Sequence, residues 1–447
     1  MMPSFELMAP LMFAGLIVFL LIGYPVAFSL SAVGLGFGAI AIHLGYFDFV
    51  LLQALPDRIY GIASNQLLLS IPFFTFMGAV LERCGLAEDL LDTMGQLFGP
   101  IRGGLAYSVI LVGALLGAVT GTVAASVIAM GLISLPVMAR YNYDQKLATG
   151  VIAASGTITQ IIPPSLVLVV LADAMGKSVG DMYAGAFIPS FILVGLFCLY
   201  IFLVTLWKPH LAPPLPKEVR TASISVLLVR CLVSMVPSLA LIFMVLGTIL
   251  LGLATPTEGG AMGAAGALAL AIMHRRLSWK LLKESMDTTL KLTTMVMFIL
   301  VGSTVFSLTF RGVDGDLWVE HLLSNLPGGV TGFLVFVNVF VFFLAFFLDY
   351  FEIAFIIIPL LAPVAEKMGI DLIWFGVLIG VNMQTSFMHP PFGFALFYLR
   401  SIAPPSIKSE EILLGSIPWV FIMLLMVVLV ILFPGMVALS VQIFGRV

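Results

Sequence analysis

Gly117-Ala-Val-Thr-Gly-Thr-Val-Ala-Ala-Ser126, with the Pro163-Pro164 pair that follows it, is the stretch that decides the fold. No charged side chain occurs from Gly103 to Ala139. As one α-helix at about 1.5 Å per residue, that run would reach roughly 55 Å. The hydrocarbon core of a bilayer is only about 30 Å thick. The run therefore turns back or crosses twice, and Thr120-Gly121-Thr122 is the place. Gly permits unusual backbone angles there, and the small hydroxyls can bond backbone groups that a helix would otherwise pair. Unwound backbone at membrane depth survives only when buried in protein or lining a wet cavity. The sequence thus predicts a hairpin over 104–140 whose tip enters the membrane and touches something polar.

Composition agrees with a membrane setting. The 447 residues are 61% hydrophobic and 10% charged, with a mean hydropathy of +1.18. Soluble domains are about 25% charged, so the chain reads as an all-α polytopic membrane protein whose first partner is the lipid bilayer. A net charge of −3 gives no reason to expect nucleic acid. Cys84, Cys198 and Cys231 are scattered and odd in number, which fits neither a disulfide framework nor a metal site. No cofactor is expected. The apolar stretch Leu11 to Leu30 lacks a basic leader and is too long for a signal core, so it reads as an uncleaved first span.

Along the first half, 8–43 holds two spans separated at Gly23-Tyr24-Pro25, 47–63 reads as an interfacial helix, and 65–82 as a span. Residues 83–99 set Glu88, Asp89 and Asp92 against Leu90, Leu91 and Met94, the pattern of a helix lying at a surface. After the hairpin, 147–170 is a span broken by Ser155-Gly156-Thr157 and Pro163-Pro164, and 183–207 is another span. A Pro-rich connector, 209–223, divides a first repeat, 1–208, from a second, 224–447. The second repeat reads as spans at 224–253 and 257–273, a basic amphipathic piece at 275–283 and a span at 290–310. A surface segment at 312–326, a second hairpin at about 330–365, a broken helix at 372–399 and one or two closing spans within 411–446 complete it.

The repeat can be checked by addition. A shift of 227 takes Gly85 to Gly312, Asp89 to Asp316, Pro100 to Pro327, Pro136-Val137 to Pro363-Val364, Asp144 to Asp371 and Pro163-Pro164 to Pro390-Pro391. The same shift takes Thr122 to Asp349, so Leu348-Asp349-Tyr350 is the tip of the second hairpin. Repeats with interrupted hydrophobic segments at matching places point to a secondary transporter.

Half-helix N-termini favour anions and C-termini favour cations, and hydroxyl-rich breaks offer the oxygens that a hard cation needs. Thr120, Thr122 and Ser126 against Ser155, Thr157 and Thr159 make one candidate cation site. Asp349 with Asn382, Thr385 and Ser386 makes the second. Ionisable residues such as Asp349 and Glu352 inside an apolar run are functional candidates by default. An anionic substrate would sit between the tips, held by backbone N–H groups and hydroxyls; Ser155, Thr159, Pro163, Tyr350, His389 and Pro390 are its candidate contacts. Each residue has a plainer reading. Ser, Thr and Gly in membrane helices commonly mediate close packing or bond their own helix. Glu258, after Thr255-Pro256, reads as a helix cap, and His389 as a hydrogen-bonded structural residue.

At these residues the sequence resembles the large membrane (M) subunit of tripartite ATP-independent periplasmic (TRAP) transporters. The resemblance is carried by Thr120-Gly-Thr-Val-Ala-Ala-Ser126, Pro136-Val-Met138, Ile161-Ile-Pro-Pro-Ser165, Thr255-Pro-Thr-Glu-Gly259, Leu348-Asp-Tyr-Phe-Glu-Ile353 and Met388-His-Pro-Pro-Phe-Gly393. It implies an inverted-repeat, elevator-type fold with a scaffold, arm helices and a transport domain carrying two re-entrant helical hairpins. It also implies Na⁺-coupled uptake of an organic acid across the bacterial inner membrane. The expected partners are a small four-span (Q) membrane subunit and a periplasmic substrate-binding (P) protein. The cation positions that the family motif carries over are Thr120, Gly121, Thr122 and Ser126, then Gly156 and Thr157, then Asp349, Asn382, Thr385 and Ser386. The second break reads Met-His-Pro-Pro where the family usually has a small residue or Thr before the prolines, which suggests a subfamily with its own substrate. The alternatives are a stand-alone Na⁺/dicarboxylate symporter of the same superfamily, a channel and, more remotely, an intramembrane enzyme using Asp349. Against the enzyme, the sequence has no partner aspartate motif, Gly-x-Ser-Gly or metal cluster.

Overall fold

The computed structural model describes residues 7–120, 123–216 and 223–445. Among them the chain forms helices and turns, with no strand. In the first half, α1 (Met8–Ile22) and α2 (Val26–Leu44) are followed by a 3₁₀ turn, Phe49–Ala54, and by α3 (Leu55–Ala63), none of whose residues is buried. Then come α4 (Ser70–Arg83), α5 (Leu86–Phe98), the hairpin arms α6 (Gly104–Thr120) and α7 (Val123–Arg140), the pieces of a broken helix α8 (Gln145–Thr157) and α9 (Leu166–Met175), and α10 (Val179–Trp207).

The second half has α11 (Ile224–Leu250), α12 (Pro256–Met273), α13 (Trp279–Gly312), α14 (Gly315–Ser324) and α15 (Gly329–Leu344). A short α16 (Tyr350–Glu352) runs through a π turn, Ile353–Ile357, into α17 (Ile358–Lys367). α18 (Leu372–Met383), α19 (Phe394–Ile402), α20 (Ser409–Leu432) and α21 (Gly435–Phe444) complete the chain. Among the described residues six helices are long and apolar enough to cross a membrane, and α14 with α15 forms a further candidate bent by 119°.

The elements recur at the offset legible in the sequence. Adding 227 to the bounds of α7 gives 350–367, the extent of the run from α16 through α17; adding it to α8 gives 372–384, against Leu372–Met383 for α18. Both broken helices also start the same way. Asp144 accepts a hydrogen bond from Leu147 N at 2.9 Å, and Asp371 from Trp374 N at 2.7 Å. A carboxylate cap satisfies backbone donors that the first turn leaves unpaired. Packing is reciprocal as well: α2 lies along α13 while α4 lies along α12, the same pair with the halves exchanged.

One sequence expectation needs correction. The basic piece at 275–283 and the span at 290–310 are not separate helices; from Trp279 on, the basic piece belongs with the span to α13, a single 34-residue helix capped by Ser278, while Arg275 and Arg276 lie in the connection before it. No proline interrupts 279–312, and the charges at its start sit at helical spacing, with Lys280 and Glu284 3.9 Å apart. The polar segment is therefore the first turns of the same helix. The expected surface helix at 83–99 forms as α5 and buries Leu90, Leu91 and Met94 against α6 and α11.

α8 and α20 approach through paired glycines. A Cβ on Gly150 would stand 2.2 Å from the Gly415 carbonyl oxygen, and one on Gly415 would stand 2.3 Å from that of Lys146. Either contact is too short for any real side chain, so Gly150→Ala must push the helices apart. Overpacking of this kind costs about 1–3 kcal/mol. Thermal melts of the purified protein are expected to fall for Gly150→Ala and for Gly415→Ala, and to stay unchanged for Gly195→Ala, where a Cβ would meet nothing within 4 Å.

Candidate cation and substrate site

The two broken helices stop for the same local reason. Proline lacks an N–H, and it biases the preceding residue away from helical angles. Pro163-Pro164 and Pro390-Pro391 both hold cis peptide bonds, and each follows a 3₁₀ turn, Ile158–Gln160 or Gln384–Phe387. Hydroxyls in these turns donate to carbonyls three residues back. Thr157 Oγ1 donates to Ala154 O at 2.8 Å, Thr159 Oγ1 to Gly156 O at 3.0 Å, Thr385 Oγ1 to Asn382 O at 2.7 Å and Ser386 Oγ to Met383 O at 2.6 Å. With the proton committed, each oxygen presents only acceptor lone pairs to its surroundings. The Ser165 hydroxyl closes the first break by donating to Gln160 O and accepting from Val167 N.

The hairpins clamp these turns. On α6, a Cβ at Gly113 would lie 2.7 Å from Ser155 Cβ, and one at Gly117 2.9 Å from Thr159 Cα. This is the small-xxx-small approach of membrane helices. Gly156 is small for the same reason, since a Cβ there would be 2.2 Å from Val127 Cγ2 on α7. In the second half the clamp is polar. Asn382 Nδ2 donates to the main-chain oxygen of Asn338 at 2.8 Å and to its Oδ1 at 3.0 Å, tying α18 to α15.

These clamps leave polar atoms over. Eight of the thirteen buried side-chain polar atoms without a hydrogen-bond partner among the described residues lie in the two breaks: Ser155 Oγ, Asn382 Oδ1, both ring nitrogens of His389 and the amide atoms of Gln160 and Gln384. Ser155 and Asn382 are related by the 227 shift. An unpaired buried polar group costs about 1–3 kcal/mol. Their concentration at two matched places is the pattern of a binding site.

A cavity of about 360 Å³ lies between the hairpins. Val123 and Ala124 at the start of α7 line it with Gln160 of the first break. Facing them are the second tip from Phe347 through Asp349 to Glu352, Phe387, Phe394 and Tyr398, with Leu292 and Met295 of α13 along the side. Asp349 is the N-cap of α16: its Oδ1 accepts from Glu352 N at 3.0 Å, and its own N–H donates to Glu352 Oε2 at 2.9 Å. Thr255 and Glu258 form the same reciprocal box at the start of α12, which gives Glu258 the capping role expected of it.

The residues singled out from sequence fall into several environments. Asp349 and Tyr350 line the cavity. Ser155, Thr157, Thr159, Asn382, Thr385 and Ser386 are buried in the breaks, and Ser126 is buried on α7. Thr120 ends α6, while Gly121 and Thr122 lie outside the described residues. Pro163 does not face the cavity between the tips; it lines a separate, largely apolar cavity with Leu111, Phe187 and Ile242. Pro390 is absent from the residues lining the 360 Å³ cavity. The His389 ring does not make the hydrogen bond expected from sequence: among the described residues neither ring nitrogen has a partner, and the ring is held between those of Phe342 and Phe346, with centroids 4.2 and 4.3 Å away. Sequence reasoning missed Gln160 and Gln384. Its available signal was an amide inside an apolar run, directly after Thr159 and directly before Thr385.

Long apolar spans, a chain built twice on one pattern, and interrupted helices around a cavity together define a membrane transport permease. A family model, "Tripartite ATP-independent periplasmic transporter, DctM component", matches residues 13–436, and the chain belongs to that family. It is 31% identical over 412 residues to the C4-dicarboxylate TRAP transporter large permease protein DctM of Pseudomonas aeruginosa, covering 89% of this chain and 91% of that one. It is 26% identical to the 2,3-diketo-L-gulonate TRAP transporter large permease protein YiaN of Escherichia coli, covering 97% and 99%. The isethionate TRAP transporter permease protein DctMQ of Oleidesulfovibrio alaskensis is also 26% identical; the match covers 93% of this chain and 63% of that protein. Among solved structures, the fold resembles the Alcanivorax borkumensis YdaH transporter, with a TM-score of 0.60 and 15% identity over 86% of this chain and 88% of that one. It also resembles Neisseria gonorrhoeae MtrF, with a TM-score of 0.55 and 12% identity over 88% and 84%. The family is one of permeases, not enzymes.

Proposed function

We propose that this chain is the membrane component of a Na⁺-coupled importer that carries an organic acid by elevator-type alternating access in a bacterial inner membrane. The observation that carries this reading is the set of buried polar atoms without partners among the described residues at two repeat-matched breaks, Ser155 Oγ and Asn382 Oδ1 above all, with Gln160 of the first break lining the cavity between the hairpins. Thr157, Thr385 and Ser386 add oxygens whose protons already point into the helix. Sodium binds at the breaks, and the acid lies between the tips against the first N–H groups of α7, where the helix dipole favours negative charge. Coupling is differential binding: the anion-loaded tips are stable only when the cations are in place. α6 to α10 and α15 to α21 form the moving part, the helices around α2, α4, α12 and α13 the scaffold, and α5 and α14 the arms.

Two partners complete the system, a periplasmic protein that delivers the acid and a small membrane subunit that extends the scaffold. The name of the DctMQ relative joins M and Q, and this chain covers 63% of its length. C4-dicarboxylates, which appear in the names of three relatives, serve as the reference acids. The test is uptake into proteoliposomes containing this chain and its small partner, with an inward Na⁺ gradient, with and without the binding protein. Uptake that requires both is the expected result. Uptake that needs Na⁺ and ignores the binding protein would make the chain a stand-alone symporter, and Na⁺-independent uptake would remove the coupling altogether.

A further inference from the structure

We propose that the acid taken by this site has a single carboxylate on an apolar, aromatic-sized body, rather than the two carboxylates of a four-carbon diacid. The proposal rests on reading the cavity between the hairpins as the substrate site. Six of the side chains lining that cavity are aromatic: Phe347, Tyr350, Phe351, Phe387, Phe394 and Tyr398. No Lys, Arg or His is among its described lining residues. Its charged side chains are Asp349 and Glu352, both acidic and already bonded to each other's backbone. A second carboxylate on the substrate would meet those like charges with no cationic side chain in the lining to offset its lost hydration, and a buried charge without a fixed partner is strongly disfavoured.

One carboxylate can be satisfied. Gln160 is 2% exposed, lines the cavity, and has no partner for its amide among the described residues. Its Nε2–H donates to a carboxylate oxygen, while the start of α7, at Val123 and Ala124 in the same lining, brings backbone N–H groups that the helix itself does not pair. The remainder of the acid lies against the aromatic wall, where ring–ring contact adds to simple burial. About 360 Å³ falls in the range that holds drug-sized ligands, which leaves room for a ring beside the carboxylate.

The experiment uses the purified full-length chain in lipid nanodiscs. It reads the melting temperature with phenylpyruvate or succinate added, in NaCl and in choline chloride. A ligand that binds only the folded state raises the melting temperature with its concentration relative to its dissociation constant. The expected result is a Na⁺-dependent rise at phenylpyruvate concentrations about tenfold lower than those succinate needs. Gln160→Leu should abolish that rise. Phe394→Ala removes a ring that is 41% exposed and so leaves no buried void; it should weaken phenylpyruvate several-fold. Stronger stabilisation by succinate would overturn the proposal and leave the carboxylate-transport reading standing. No Na⁺-dependent response to either acid would overturn both. A phenylpyruvate response that survives Gln160→Leu unchanged would show adventitious apolar binding and also overturn the proposal.

Discussion

Asp349→Asn is expected to leave the protein folded and to raise the Na⁺ concentration needed for half-maximal uptake by roughly ten- to a hundredfold, the cost of losing an interaction of about 1.5–3 kcal/mol with a charged group. Asparagine caps a helix N-terminus about as well as aspartate, so the box with Glu352 survives in part and the second tip keeps its shape. Only the charge is removed. Asp349→Ala removes the cap too, for a further loss of about 1 kcal/mol in stability, and is expected to abolish Na⁺-dependent uptake. The pair separates two roles that coincide at one residue. If Asp349→Asn transports with unaltered Na⁺ dependence while Asp349→Ala melts early, Asp349 is a cap and the cation lies elsewhere.

Ser155→Ala has an unusual expected signature, because stability and activity should move in opposite directions. The Ser155 hydroxyl is buried and has no hydrogen-bond partner among the described residues, so removing it gives up no hydrogen bond to them and relieves an unpaired polar atom. In Na⁺-free buffer the variant should melt at the same temperature or higher. If Ser155 Oγ ligates sodium, Na⁺-driven uptake should nonetheless fall about tenfold at limiting sodium. Asn382→Ala, at the matching position of the second repeat, also breaks two hydrogen bonds to Asn338, and it should lose both stability and uptake. Wild-type Na⁺ dependence in Ser155→Ala would exclude that oxygen as a ligand. The contrast between the two variants then tells a structural asparagine from a ligating one.

The site was legible to different depths at different residues. Thr157, Thr385 and Ser386 could be placed at the breaks because a hydroxyl next to a proline pair in an apolar run announces where a helix stops. Gln160 could not be picked out, because its importance lies in what it fails to touch, and a sequence does not list missing partners. His389 beside Pro390 carried the chemistry of a polar contact, yet its ring meets Phe342 of α15 edge-on and stacks on Phe346 just past that helix. Pro163 sits one turn from Gln160 in the chain and still faces a different cavity. Which way a residue points from an irregular turn depends on the helices packed around it.

By itself, the sequence determined the all-helical membrane class, the two hairpins, the two broken helices and the register of 227 residues that relates them. Those features follow from local physics: an uncharged run too long for one crossing, prolines that cannot continue a helix, and matched residues such as Asp144 and Asp371 at one fixed offset. The tertiary structure alone decided that α13 runs unbroken through its basic start, that α8 and α20 meet through glycines, and that among the described residues Ser155 and Asn382 keep side-chain oxygens without a hydrogen-bond partner. It also decided which side chains wall the cavity between the tips. These are properties of contact between segments far apart in the chain, where the loss or gain of a partner depends on a neighbour that the local sequence does not contain.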